Sequence, residues 1–176
     1  LLGAVHGIAE SLYARYVSQG MAKDDAYLNT SESITGPISK SISRSGLKAV
    51  YEELDEGEKA AFRKAYNAAY HPSREILEEI YDDVASGNEV RSVIQATRRH
   101  DTYPMGKIDS TDMWVVGEEV RADSQRNYAP INPETAGTYM ACMMAQVDLL
   151  KERGHPYSEI ANESIIEAVD SLNPYM

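Results

Sequence analysis

The feature that most constrains this chain is its regular series of helix boundary signals, together with the lack of any convincing apolar–polar alternation. Such alternation is typical of a half-buried strand, so its absence argues against a sheet. Apolar residues recur instead at helical spacing between start and stop signals. Asn132-Pro133-Glu134, for example, combines an N-cap residue, a proline at the first helical position and an acid in the first turn. We therefore predict an all-α fold.

These signals divide the chain into successive helices. Asp55 and Glu58 are spaced as a capping box at the start of the longest helix, which Pro72 is expected to end or kink. Gly36-Pro37 is expected to stop an earlier helix. The predicted helices cover residues 1–19, 24–35, 46–54, 55–84, 89–99, 132–153 and 156–172, with a short turn or two at 38–45. Residues 113–120 are ambiguous, because the run at 114–116 could form a strand, but a helical turn is favoured. Residues 100–112 and 122–131 are predicted loops.

The two ends of the chain are similar to each other. Gly20 and Gly154 lie 134 residues apart, and this offset aligns residues 1–34 with residues 135–168. Each copy consists of a helix, a glycine and a second helix, which predicts an internal duplication within one domain covering residues 1–176. A chance likeness between two helical hairpins is the alternative.

Length and composition exclude several classes of function. The chain has 176 residues, enough for one domain, and a net charge of −11. This charge argues against nucleic acid or an anionic membrane surface as a partner. No apolar run reaches the ~18 residues of a membrane span, and no signal peptide is visible. The first residues are apolar and lack an initiating Met, so we expect a fragment or a processed chain.

An acidic stripe near the C-terminus is the strongest candidate site. Its members are Glu159, Glu163, Glu167 and Asp170. An ideal helical wheel places Ala161, Ile165, Ala168, Val169 and Leu172 on the opposite, apolar face, with Ile160 and Ile166 beside the acids. The stripe is either an ordinary solvated face or a carboxylate site for a hard cation such as Mg²⁺. In the repeat alignment Asn29 lies opposite Glu163 and Ser33 opposite Glu167, which indicates one functional site and not two.

Other catalytic chemistry finds little support. The only cysteine, Cys142, excludes an internal disulfide and lies in an apolar helix, where a packed core position is expected. The four histidines are scattered and do not have zinc-ligand spacing. Glycine-rich nucleotide loops and a G-x-S-x-G motif are absent. The one Glu-x-x-His spacing, at Glu152 and His155, is broken by Gly154, which argues against a di-iron bundle.

Five segments of the chain resemble plant-type ketol-acid reductoisomerases of the long form, class II. They are LLGAVHG at 1–7, ITGPISK at 34–40, DDVASG at 82–87, PMGKID at 104–109 and NESIIEAVDSLNP at 162–174. The resemblance implies the C-terminal helical domain of that enzyme. It also implies a fold that is duplicated and knotted, similar to the C-terminal domain of 6-phosphogluconate dehydrogenase.

The resemblance further implies an activity in valine, leucine and isoleucine biosynthesis in the chloroplast stroma. In this family a Mg²⁺-dependent alkyl migration in 2-acetolactate or 2-aceto-2-hydroxybutyrate is followed by reduction with NADPH. Two Mg²⁺ ions polarise the substrate oxygens. By this resemblance Glu163 and Glu167 hold metal-bound water and hydrogen-bond the substrate, and Leu1, Leu2 and Leu172 line the pocket for its alkyl group.

The same resemblance implies that much of the site lies outside this chain. The Asp and Glu that ligate the ions directly, and the Rossmann domain that binds NADPH, are expected before Leu1. A further substrate-binding Ser is expected after Met176. The expected partners are the small hydroxy-keto acid substrate and a second copy of the chain, in a homodimer or higher homo-oligomer formed through the helical domains.

Two alternatives keep the helical fold without this chemistry. The first is a non-catalytic acidic module that only oligomerises. The second is a dehydrogenase dimerisation domain of the 6-phosphogluconate dehydrogenase type, in which the four-residue spacing of Glu163 and Glu167 has no use.

The first testable prediction is that the isolated 176-residue chain is inactive. One carboxylate pair without the directly ligating acids should not hold two Mg²⁺ ions tightly. The measurement is oxidation of NADPH in the presence of 2-acetolactate and Mg²⁺, and turnover above background would contradict the prediction.

Overall fold

The structure is a computed structural model that describes residues 2–102, 110–123, 131–170 and Leu172. Every regular element in these ranges is helical, which confirms the all-α prediction. Two π segments, in which backbone hydrogen bonds span five residues, lie at Ile34–Ile38 and Asn162–Ile166. The α-helices are α1 (Leu2–Ser18), α2 (Lys23–Asn29), α3 (Ser31–Ser33), α4 (Ser39–Ser45), α5 (Leu47–Glu52), α6 (Glu56–Ala85), α7 (Asn88–Arg99), α8 (Asp112–Ala122), α9 (Pro133–Glu152), α10 (Tyr157–Ala161) and α11 (Glu167–Asp170).

The predicted caps are present where the sequence places them. Asp55 accepts a hydrogen bond from the Glu58 backbone N–H at 2.8 Å, and the Glu58 carboxylate accepts one from the Asp55 N–H at 2.9 Å. The Asn132 side chain accepts bonds from the N–H groups of Glu134 and Thr135, both at 3.0 Å. Helix α6 runs through Pro72 without ending. Local capping chemistry therefore fixes the starts of the two longest helices.

One predicted boundary is wrong. Gly36-Pro37 was expected to stop a helix, but both residues lie inside the first π segment, which leads directly into α4. In an α-helix the proline ring would clash with the carbonyl of residue 33, and the missing N–H would leave a gap in the bonding. The wider π turn avoids this conflict, and the Ser39 N–H bonds to the carbonyl oxygens of Gly36 and Ile34.

The main contact of the fold is between α6 and α9, which pack along much of their lengths. Gly137 of α9 faces the α6 backbone so closely that an added Cβ would lie 2.5 Å from the Phe62 carbonyl oxygen. Along α6 the rings of Phe62, Tyr66 and Tyr70 stack with centroids about 6 Å apart, at 6.0 and 5.9 Å. The Tyr70 hydroxyl donates to Asp148 of α9 at 2.6 Å, and this bond together with burial raises the pKa of Tyr70 to about 12.

The two terminal hairpins share the main hydrophobic core with the central helices. Buried side chains reach this core from α1, α2, α5, α8 and α9, and from the last described turn. Its fully buried large members include Val5, Tyr27, Ile34, Ile38, Val50, Met113, Tyr139, Met143 and Leu172. A smaller cluster lies farther along the α6–α9 contact and contains Leu77, Cys142, Ala145 and Leu149. The predicted core position of Cys142 is thereby confirmed.

The ends of α1 and α9 have the same geometry. Gly20 has a φ of +94° and Gly154 a φ of +82°, a conformation that glycine adopts without strain. The Met21 N–H bonds to the Tyr16 carbonyl and the His155 N–H to the Leu150 carbonyl, both at 3.0 Å. These bonds, and the starts of α2 and α10, are related by the same offset of 134 residues. This equivalence supports the predicted duplication, which stays a prediction, as does the knot.

Several sequence expectations fall outside the described residues. They concern Leu1, most of the two predicted loops at 103–109 and 124–130, and the segment 104–109 that carries part of the family resemblance. Among the described residues, no helix is both long enough and apolar enough to cross a bilayer.

The close contact at Gly137 predicts that a larger residue at this position destabilises the fold. We expect Gly137→Ala to lower the free energy of unfolding by about 1–3 kcal/mol, because α9 must move away from the α6 backbone. Gly7→Ala in α1 is the matched control, since an added Cβ there would meet nothing within 4 Å. In that control the free energy of unfolding should rise by up to about 1 kcal/mol, because alanine has the higher helix propensity. Urea unfolding measures both changes, and equal effects would contradict the packing described above.

Candidate functional site

The acidic stripe lies on a helix that is interrupted, not continuous. The chain leaves α9 at Gly154 and enters α10 after Pro156, whose backbone is extended. The second π segment, Asn162–Ile166, then separates α10 from α11. Glu163 lies inside the π segment and Glu167 is the first residue after it. One predicted site acid therefore lies within an irregular π turn and the other directly after it, and such turns are frequent at functional sites.

The buried face of this helix differs from the one predicted. The side chains that turn inward are Ile160, Ser164, Ala168 and Leu172, each 0–6% exposed. The ideal wheel placed Ile160 beside the acids and Ala161 in the apolar face, but Ile160 is buried and Ala161 is only partly so. The prediction assumed one uniform α-helix, and the π segment changes the angular relation between its two ends.

The acids differ in their surroundings. Glu159 is exposed and pairs with His155, whose Nδ1 lies 3.0 Å from the Glu159 Oε1. Glu163 and Glu167 are partly buried. In the described part of the chain neither of these two carboxylates has an ion-pair partner. Half-buried acids without a cation favour a bound positive charge, so the simple solvated-face interpretation fits Glu159 better than Glu163 and Glu167.

His155 fastens the start of α10 to α6. Its Nε2 lies 2.9 Å from the Tyr81 hydroxyl, while its other nitrogen faces Glu159. The guanidinium of Arg153 lies over the Tyr81 ring at 5.0 Å and also approaches Asp82 at 3.4 Å. These contacts serve to hold the α9–α10 turn in place, and they agree with the structural role expected for the histidines.

A cavity of about 230 Å³ lies beside Glu163. Apolar side chains of α6 and α9 form most of its wall, and four polar residues complete the lining. Those polar residues are Gln146, His155, Glu159 and Glu163. Glu163 is thus partly buried beside a mainly apolar pocket that is open to solvent, whereas Glu159 is exposed.

The sequence interpretation missed Gln146. This side chain is 8% exposed on the apolar α9 and its Nε2 donates to the Glu163 carbonyl oxygen at 2.9 Å. A glutamine among core residues indicates a buried hydrogen bond, because an unpaired amide there would be costly. That signal was available in the sequence, but its partner was not.

The predicted substrate-contacting leucines are placed as follows. Leu1 lies outside the described residues, and Leu2 begins α1. Leu172 is fully buried in the main core, to which α1 also contributes. Helix α11 contacts α1, so the acid-bearing segment and the start of the chain belong to one region of the fold.

The residues present fit one part of a Mg²⁺ site. Carboxylate oxygens are suitable ligands for this hard cation, which also keeps several waters. Among the described residues, however, no group of three or more His, Cys, Asp or Glu side chains could hold a metal ion. Glu163 and Glu167 are therefore suited to hold metal-bound water and unsuited to form a complete site. Burial raises the pKa of the Cys142 thiol, which argues against a thiolate nucleophile.

Comparison with known proteins gives a consistent family. The model of the family "Ketol-acid reductoisomerase, C-terminal domain" matches residues 1–126. Two curated relatives, both named "Ketol-acid reductoisomerase, chloroplastic", come from Pisum sativum and Spinacia oleracea. Each is 56% identical over 183 aligned residues that include all of this chain. The chain spans 32% of the length of the pea protein and 31% of that of the spinach protein.

Proposed function

Because the chain belongs to the ketol-acid reductoisomerase family, as its C-terminal domain, we propose that it supplies one half of the catalytic site of such an enzyme. The reaction is the alkyl migration and NADPH-dependent reduction of 2-acetolactate or 2-aceto-2-hydroxybutyrate. The observation that carries this proposal is the pair Glu163 and Glu167, partly buried, without a cation in the described chain, and separated by a π turn.

In this proposal the two carboxylates act through hydrogen bonds. Glu163 and Glu167 hold waters bound to Mg²⁺ and accept hydrogen bonds from substrate hydroxyl groups. The ions, when bound, supply Lewis-acid polarisation of the substrate oxygens. The negative charge of the pair favours the cations, and the partly buried position strengthens that attraction compared with bulk water. NADPH is bound by another part of the enzyme.

The apolar wall beside the acids is proposed to select the alkyl group. Leu172 together with Leu1 and Leu2 is assigned this role by the family resemblance. Because Leu172 has no exposed surface in the structure, its proposed contact with the alkyl group requires neighbouring side chains to move apart. An apolar surface suits a migrating methyl or ethyl group, which offers nothing to hydrogen-bond.

We also propose that the enzyme acts in the chloroplast. Both relatives carry "chloroplastic" in their names and are 56% identical to this chain. The stroma is the expected compartment for branched-chain amino-acid biosynthesis in the plant-type family.

Self-association through the helical domain is a further part of the proposal. An exposed apolar surface runs along α6 and α7 and consists of Ile76, Ile80, Val84, Val90, Val93 and Ile94. These six side chains are 48–65% exposed. Within α7, which the structure describes completely, no side chain is buried. A second copy of the chain is the proposed occupant, since exposed large apolar side chains grouped on neighbouring helices are typical of an interface.

The catalytic proposal predicts that substitutions of the three glutamates affect activity to different extents. In the full-length enzyme that carries this domain, Glu163→Gln and Glu167→Gln should each lower kcat or raise the half-saturating Mg²⁺ concentration 10- to 100-fold, as loss of a residue supporting metal-bound water does. Glu159→Gln is the matched control on the same helix and should change either value less than about threefold. Normal Mg²⁺ dependence in Glu163→Gln would favour the non-catalytic oligomerisation module.

The surface on α6 and α7 predicts a change in assembly. Val93→Glu should weaken self-association by adding a charge to the apolar surface, whereas Ser92→Glu, on the neighbouring position of α7, should not. Sedimentation velocity over a range of protein concentrations measures the difference. Equal assembly of both variants would show that α7 is not in the interface.

A further inference from the structure

We propose that Gln146 is a positioning residue that sets the relative direction of Glu163 and Glu167. The inference rests on the proposed function of those two acids, because it concerns how they are presented to the metal and the substrate. It adds a residue on another helix, α9, to the machinery of the site.

The backbone bonding of the π segment creates the need for such a residue. In an α-helix the N–H of Glu167 would bond to the carbonyl of Glu163, four residues before it. Here that N–H bonds to the carbonyl of Asn162, five residues before it. The Glu163 carbonyl thereby loses its α-helical donor. The residues at the two ends of the lost bond are the proposed catalytic pair themselves.

Gln146 provides the replacement donor. Its Nε2 reaches the Glu163 carbonyl oxygen at 2.9 Å, and the side chain is 8% exposed, so water has little access to compete. Without this donor the π bonding pattern would lose a buried hydrogen bond that the α pattern does not need, which would favour return of the turn to α-helical bonding. The amide of Gln146 therefore stabilises the π pattern of backbone hydrogen bonds relative to the α-helical pattern.

The hydrogen-bond pattern of this turn, π or α, matters because it determines where the two carboxylates point. A change from π to α bonding rotates Glu167 and the rest of α11 relative to Glu163. Groups that hold metal-bound water must be placed within a fraction of an ångström, and supporting partners of such groups affect metal affinity strongly. Loss of the Gln146 donor should thus weaken Mg²⁺ binding without removing either acid.

The first hairpin contains a matched hydrogen bond. Thr135 of α9 donates through Oγ1 to the Asn29 carbonyl oxygen at 2.7 Å, and Asn29 aligns with Glu163 at the offset of 134 residues. Both bonds join α9 to the end of a helix that follows a glycine turn. Because Asn29 and Ser33 replace the acids there, loss of the Thr135 bond should affect stability and leave the metal site intact.

The experiment compares Gln146→Met with Thr135→Val in the full-length enzyme. Methionine keeps the length and approximate volume of glutamine but cannot donate a hydrogen bond. We expect Gln146→Met to raise the half-saturating Mg²⁺ concentration 10- to 100-fold. It should also diminish the rise in Tm that Mg²⁺ produces in the absence of substrate. Thr135→Val should lower Tm in metal-free buffer but change the half-saturating concentration less than about threefold.

Equal Mg²⁺ dependence in the two variants would overturn the role of Gln146, even if both lower the metal-free Tm. If Gln146→Met does not fold, Gln146→Leu is measured in the same two ways, since leucine also lacks a donor and adds no charge. The two proposals fail separately. A wild-type enzyme without turnover, or a fully active Glu163→Gln variant, counts against the proposed function, whereas normal Mg²⁺ dependence in Gln146→Met counts only against the positioning role.

Discussion

The packing of α9 against α6 is the constraint on which the rest of the fold depends. It is closest at Gly137, where only a hydrogen lies between the α9 backbone and the Phe62 carbonyl. With α9 fixed there, its first turn binds the first hairpin, because Tyr16 lies within hydrogen-bond distance of Thr135 and Asn132, at 2.9 and 3.1 Å. Farther along, the same helix binds the acid-bearing segment through Gln146. A single rigid element thus relates both ends of the chain.

The contacts between the two hairpins are reciprocal. Helix α1 touches α11, the last element of the second hairpin, and α9 touches the first π segment, which follows the second helix of the first. Under the repeat offset these two contacts correspond. Such an arrangement gives each hairpin the same support from its counterpart. The difference between Glu163 and Asn29 is then a difference in side chains on similar frames, in agreement with the proposal that only the second copy carries the chemistry.

The sequence predicted what depends on local chemistry and missed what depends on distant contacts. The starts of α6 and α9 follow from Asp55 and Asn132, whose side chains bond within their own first turns. Neither π segment was predicted. The first accommodates Pro37 inside a continuous helix, and the second receives a hydrogen bond from Gln146 on another helix, a contact that local sequence does not show. For the site, spacing identified the acidic stripe and the family resemblance selected Glu163 and Glu167. Their partial burial required the full fold.

The first two acids of the stripe, Glu159 and Glu163, show why position within the fold matters more than charge alone. At the start of α10, the Glu159 carboxylate lies 3.0 Å from the His155 Nδ1, and His155 is itself held by Tyr81, so Glu159 has a polar partner. One turn later Glu163 has no such partner in the described chain, and its backbone is held open by Gln146. A partly buried carboxylate without such a partner, in a chain of net charge −11, lowers the stability of the fold at that point. A cation bound with the remainder of the enzyme would offset that cost, so metal binding and completion of the site are expected to be coupled.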